Sequence, residues 1–335
     1  MLMTYLSPGF YSQISPLPEP RQMYGTAVVG DHLYVIGGNN ANGWLTEVLK
    51  APIKPDGSVG AWSKTRPLPI NMSYIGNTTL VMNDIIYIIG ANEGSQNVDM
   101  QTLFWNKPMP GGELGEWQQS PPFPGSGISC AAGISTSGHI HLIGGLTGSL
   151  AQGGKPTNVI WSAKINERGD FVGWEPGPQL PMPLWFHNAG VTGGRAWVWG
   201  GLTSPDSNSV SAAIYSAPIL SDGRLGTWTR ESSTLPQGFY RSACTASGKY
   251  LISFCPSYMG SVESNDIWFA EVGETGISPW SRMSTTIASK VYIGVATDFR
   301  GGCVYLPGGR KTRGEMLDAL VDSVYLFKLA QEKET

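Results

Sequence analysis

One short strand signature recurs six times along the 335-residue chain, and it constrains the fold more than any other feature. The segments read LYVIGG (33–38), IYIIGA (86–91), IHLIGG (140–145), AWVWGG (196–201), YLISFC (250–255) and VYLPGG (304–309), with starts 53 to 56 residues apart. Each is a β-branched and aromatic run, most ending in a glycine pair, which is how a buried strand entering a tight turn reads. Further registers repeat with the same period. Trp62, Trp117, Trp174, Trp228 and Trp280 lie 52 to 57 residues apart. VIWSAKI (159–165), AIYSAPI (213–219), DIWFAEV (266–272) and SVYLFKL (323–329) form a third set, and YGTAVV (24–29), SCAAGI (129–134), FHNAGV (186–191) and YRSACT (240–245) a fourth.

Four strands per unit, repeated radially, predict an all-β, six-bladed β-propeller of four-stranded antiparallel blades. Composition agrees: 44 Gly and 24 Pro punctuate many turns, and 12 Trp and 13 Tyr favour pleated, half-buried surfaces. The expected blades span 21–69, 70–124, 125–181, 182–236, 237–287 and 288–330, all within one domain. The sixth repeat lacks a Trp strand, and residues 8–18 supply one. Gly9 to Pro18 parallels Gly60 to Pro69, with Tyr11 in the Trp slot. The N-terminal strand is therefore expected to complete blade 6, removing two exposed sheet edges.

The glycine doublets and the Trp ending each unit resemble Kelch repeats over nearly the whole chain; Phe254-Cys255 departs from the doublet. The organisation is similar to that of stand-alone bacterial Kelch propellers, among them sialic acid epimerases. That resemblance implies a propeller fold and, as one concrete option, isomerisation of a sugar acid. The commoner Kelch role is a protein-interaction scaffold.

Bulk properties exclude other classes. The net charge is −3, whereas a phosphate backbone calls for a basic face, so nucleic acid is not an expected partner. No apolar run of membrane-spanning length occurs, and no membrane association is expected. The first residues lack the basic and apolar regions of a signal peptide, so a cytoplasmic location is expected. The oligomeric state is not legible. Four cysteines without a CxxC pair read as small buried residues. Gly148 to Pro156 lacks the spacing and the following helix of a phosphate loop. His139 and His141 share a strand face, with His141 in the repeat's tyrosine slot. No metal and no cofactor are expected.

In a propeller the loops entering strand one and leaving strand two share a face, and ligands sit there over the axis. Aromatics recur at the inner-strand entrances: Tyr24, Tyr74, Phe186, Tyr240 and Tyr292. Arg21, Trp185, His187 and Arg241 stand beside them, and the outgoing loops add Trp44, Glu93, Tyr258 and Glu263. Two readings stand. In the first, Arg21, Tyr24, Tyr74, Trp185, Tyr240, Arg241 and Tyr292 bind a small polar or anionic molecule, and His187, Glu93 and Glu263 move protons without a metal. In the second, the tyrosines wedge between blades, and Trp44, Trp185 and Tyr258 anchor a loop of a protein partner.

Overall fold

The computed structural model describes residues 11–94, 96, 98–148, 152–274, 276–287, 296–298, 302–311 and 320–328. Among them the regular structure is almost wholly β, with a 3₁₀ turn at Met259–Ser261. No helix of the described residues is long and apolar enough to cross a membrane.

Each repeat forms a four-stranded antiparallel meander. The first sheet contains Gly25–Val29, His32–Ile36, Val48–Pro52 and Ser63–Thr65. The second contains Thr79–Met82, Ile85–Ile89, Leu103–Asn106 and Gln118–Gln119, and the third Ala132–Thr136, His139–Ile143, Ile160–Ile165 and Phe171–Pro176. The fourth is built from Asn188–Thr192, Arg195–Trp199, Ala213–Pro218 and Thr229–Thr234. The fifth has Ala243–Ser247, Tyr250–Phe254, Asp266–Gly273 and Ser281–Ser284, with Gly276–Ile277 paired beside the third strand. In the last sheet Ala296–Asp298, Cys303–Leu306 and Val324–Lys328 are joined by Tyr11–Ile14, in the register Tyr11 to Phe327 and Ile14 to Val324. First strands of consecutive sheets touch in turn, and that of the last sheet touches that of the first. The arrangement is consistent with a β-propeller.

The second strands carry the signature because both their faces are covered. His32–Ile36, Ile85–Ile89 and His139–Ile143 are buried throughout. A ladder of hydrogen bonds then joins sheet to sheet. The Tyr34 hydroxyl donates to the carbonyl of Gly112, Tyr87 to Gly169 and Tyr305 to Gly57, each at 2.8–2.9 Å. All three acceptors lie in the turn between the third and fourth strands of the next sheet. His141 replaces this tyrosine in the third sheet. Its Nε2 sits 2.9 Å from Thr136 Oγ1, which donates to the Gly223 carbonyl at 2.5 Å. Burial and the neighbouring His139 push His141 down to about 3, so it is neutral. With the Thr136 hydrogen committed to Gly223, His141 Nε2–H donates to Thr136 and Nδ1 accepts from Ser162. Ile252 fills the slot in the fifth sheet. The sheet it faces has no turn to hold, because its third and fourth strands come from opposite ends of the chain.

These turns come so close that a side chain is excluded. A Cβ on Gly223 (φ 87°) would lie 1.8 Å from the Ser137 carbonyl oxygen. In the fifth sheet the doublet positions are Cys255-Pro256, one residue later than the expected Phe254-Cys255, because Phe254 is the last residue of its strand as Ile36 is of its own; the turn is intact. Cys255 takes φ 50°, as Gly37, Gly90 and Gly200 do in their sheets, and its N–H donates to Asp266 O at 2.8 Å. The repeat tryptophans lie between sheets: Trp228 and Trp280 are buried, and Trp62, Trp117 and Trp174 half-buried.

Candidate functional site

In five sheets a residue ahead of the first strand, three before it in four of them and six before it in the second, starts a small second layer. Gln22 bridges to Asn39, Ser73 to Asn92, Ser129 to Leu146, Trp185 to Leu202 and Tyr240 to Ser257. The partners begin hairpins such as Asn39–Asn40 with Gly43–Trp44, Asn92–Glu93 with Val98–Asp99, and Ser257–Tyr258 with Val262–Glu263. These hairpins stand on one face of the molecule.

The next residue in each of these five sheets has a left-handed backbone: Met23 (φ 59°), Tyr74 (58°), Cys130 (51°), Phe186 (50°) and Arg241 (53°). A non-glycine residue held there costs about 1 kcal/mol or more. The same strain at five equivalent places marks a device of the repeat. The kink turns each side chain away from the strand and over the end of the ring, where all five line one cavity.

That cavity offers only ≈50 Å³ to the centre of a water molecule. Phe186 is clamped in it, stacked on Trp185 at 4.7 Å, with the Arg241 guanidinium 5.0 Å from its ring centre. Arg241 lies equally close to the ring of Tyr240, and Tyr74 approaches Phe186 at 6.0 Å. Burial pushes the Cys130 thiol up to about 12, so it is protonated and no nucleophile. Asn77 forms the floor, donating across the ring to the Ser242 carbonyl at 3.0 Å. Beneath it runs a channel of ≈190 Å³ whose described walls carry no charged side chain.

The expected convergence of Arg21, Tyr24, Trp185, His187, Tyr240 and Arg241 does not occur. Only Tyr74 and Arg241 of the expected ligand-binding set line the cavity; Tyr292 lies outside the described residues. The reason is register. Tyr24 is one residue past the left-handed position and Tyr240 one before it, so each faces inward and is fully buried. Arg21 is also fully buried, 2.5 Å from Glu47, which in turn holds Lys64 at 2.5 Å. Burial pushes the Glu47 carboxyl up, but hydrogen bonds from Lys64 and Arg21 outweigh it and hold the group below its ordinary range. Trp185 is buried, with its indole N–H on Ser204 O.

His187 is no proton shuttle to the mouth. Its ring is wholly buried, packed where a Cβ on Gly144 would strike it, and faces the Ile143 and Leu184 carbonyls short of full hydrogen-bond geometry. Glu93 serves its own hairpin, accepting from Asn71 Nδ2 and the Gln96 N–H. Glu263 pairs along the fifth sheet's hairpin, opposite Ser257. Among the described residues no three His, Cys, Asp or Glu side chains gather as a metal site.

The hairpin tips are apolar, and the sequence showed only part of this. Trp44 (39% exposed) lies over Gly94 of the neighbouring hairpin, and Val98, Met259 and Val262 are 49–63% exposed. Tyr258 is instead buried, its hydroxyl on Asp266 Oδ2 and its oxygen accepting from Trp268 Nε1. The two-residue hairpin strands carry no periodicity to read; the only available signal was the apolar residue within each outgoing loop.

A ring of repeated antiparallel sheets with one loop-rich face defines the class: a repeat protein of the β-propeller kind. No family model matches the chain. It is 27% identical over 191 residues to Kelch repeat and BTB domain-containing protein 12 of Danio rerio, covering 54% of this chain and 30% of that protein. It is 26% identical to the Kelch-like protein terF of Aspergillus terreus, covering 58% and 42%, and 22% identical to beta-scruin of Limulus polyphemus, covering 63% and 22%. The chain thus spans less than half the length of these relatives. Their names support the Kelch resemblance.

Proposed function

We propose that the chain is a six-bladed propeller of the Kelch type, closed by residues 11–14, and that it acts as a protein-interaction scaffold docking partners on its hairpin face. One observation carries the reading: exposed Trp44, Val98, Met259 and Val262 stand on that face around a mouth of ≈50 Å³. Ligand pockets for small molecules usually enclose ~300 Å³ or more, so the mouth has little room for one. Apolar and aromatic side chains at raised tips are instead the usual anchors of protein interfaces. The Kelch names of the relatives agree with this reading. An isomerase has less support, since its expected acid–base groups are buried or engaged in the hairpins.

The test takes a partner isolated by affinity capture and measures its Kd. Trp44→Ser with Met259→Ser is expected to weaken binding at least tenfold. Met109→Ser with Leu220→Ser, exposed in the loops between third and fourth strands, is expected to leave it unchanged. Equal effects from the two pairs, or turnover of a sugar acid by the purified chain, would overturn the reading.

A further inference from the structure

We infer that the axial mouth is an anchor pocket for one branched aliphatic side chain of the docked partner. This rests on the docking reading and adds to it the chemistry of a single subsite. The five left-handed residues differ in chemistry yet share one strained backbone state and one cavity. Strain repeated at equivalent positions is a device for aiming side chains, and here all five aim at the axis. Three of them, Met23, Tyr74 and Phe186, give the pocket an apolar wall, and Cys130 is a protonated thiol. The wall is rigid before anything binds, because Phe186 is held between Trp185 and the Arg241 guanidinium. A preformed wall saves the ordering entropy that a flexible one would lose on binding.

Size selects the occupant. The space of ≈50 Å³ corresponds to about four water positions, the bulk of an isobutyl group. The Asn77–Ser242 hydrogen bond stops anything longer from passing into the channel below. The mouth also shares its face with the apolar tips, so a protein seated on Trp44 and Met259 lies over it.

The experiment uses full-length protein labelled with ¹³C at the methionine methyls and titrated with N-acetyl-leucine amide, N-acetyl-aspartate amide and N-acetyl-lysine amide. Met23 reports the mouth, and exposed Met109 is the control. The leucine amide is expected to shift the Met23 methyl saturably, at least tenfold more tightly than the other two, with Met109 unmoved. Cys130→Met, which fills the pocket, is expected to abolish the shift. Tyr74→Ala, which opens its wall, should weaken binding at least fivefold and serves if the filled variant does not fold. A Met23 methyl that stays still to the solubility limit overturns the proposal, as does one that answers the aspartate amide as strongly or ignores both substitutions. No partner protein is involved, so such a failure is distinct from any failure of the tip substitutions to weaken docking.

Discussion

His187 is held as a neutral imidazole, pushed down to about 4 by burial. Unfolded, the same ring titrates near 6.5, so below that pH the unfolded chain takes up a proton the folded one refuses. The stability tied to this residue is complete above about pH 6.5 and falls as the pH drops towards 4. Between pH 7 and 5 the loss is about 2 kcal/mol for one such group. Guanidinium unfolding of His187→Gln at both pH values is expected to show a flatter pH dependence by about that amount; an unchanged dependence contradicts it. His141 acts in the same direction. The character of the mouth was half legible from residues. Tyr74, Phe186 and Arg241 stood out as mouth residues, but their alignment with Tyr24 and Tyr240 was one residue out. In a strand with a period of two, that slip exchanges axis for core. Met23 and Cys130 carried no signal, because nothing in their chemistry announces a left-handed backbone.

The tyrosine-to-turn ladder is the element that ties sheet to sheet, and its members sat in plain view as the second letter of each repeat but the fifth, whose segment was read one residue early. Tyr305→Phe keeps the ring but removes the donor to Gly57, leaving a buried carbonyl unpaired. The expected loss is about 1–3 kcal/mol, read as a lower denaturant midpoint. Ile252→Ala, at the equivalent position with no such bond to lose, serves to separate the hydroxyl's contribution from packing. A Tyr305→Phe protein as stable as the parent would show that the ladder is passive. The second and third strands of each sheet were legible because they run four to eight residues under a strict pattern. The hairpins were not, because two paired residues fall below the length at which periodicity exists.

At the scale of the molecule, Tyr11–Ile14 covers the edge of Val324–Lys328, and Tyr11 packs on Phe327 at 5.3 Å. Removing residues 1–18 strips that cover, and edge-to-edge association is expected to follow. Size-exclusion chromatography should show aggregates, with a melting transition several degrees lower. A monomer that melts within about a degree of the parent would remove the closing role proposed for this strand. The missing fourth strand of the last repeat was readable because Gly9 to Pro18 matched Gly60 to Pro69 position for position. Ile252 points to something about the chain's ends. A tyrosine there would find no carbonyl, so the side chain records where the polypeptide is cut open. Relocating the ends by circular permutation, for instance to the Asp56-Gly57 turn, would join Lys328 to Tyr11 through a new loop and leave Tyr305 without an acceptor. The two sites would then exchange preferences, and tyrosine would become the better residue at position 252.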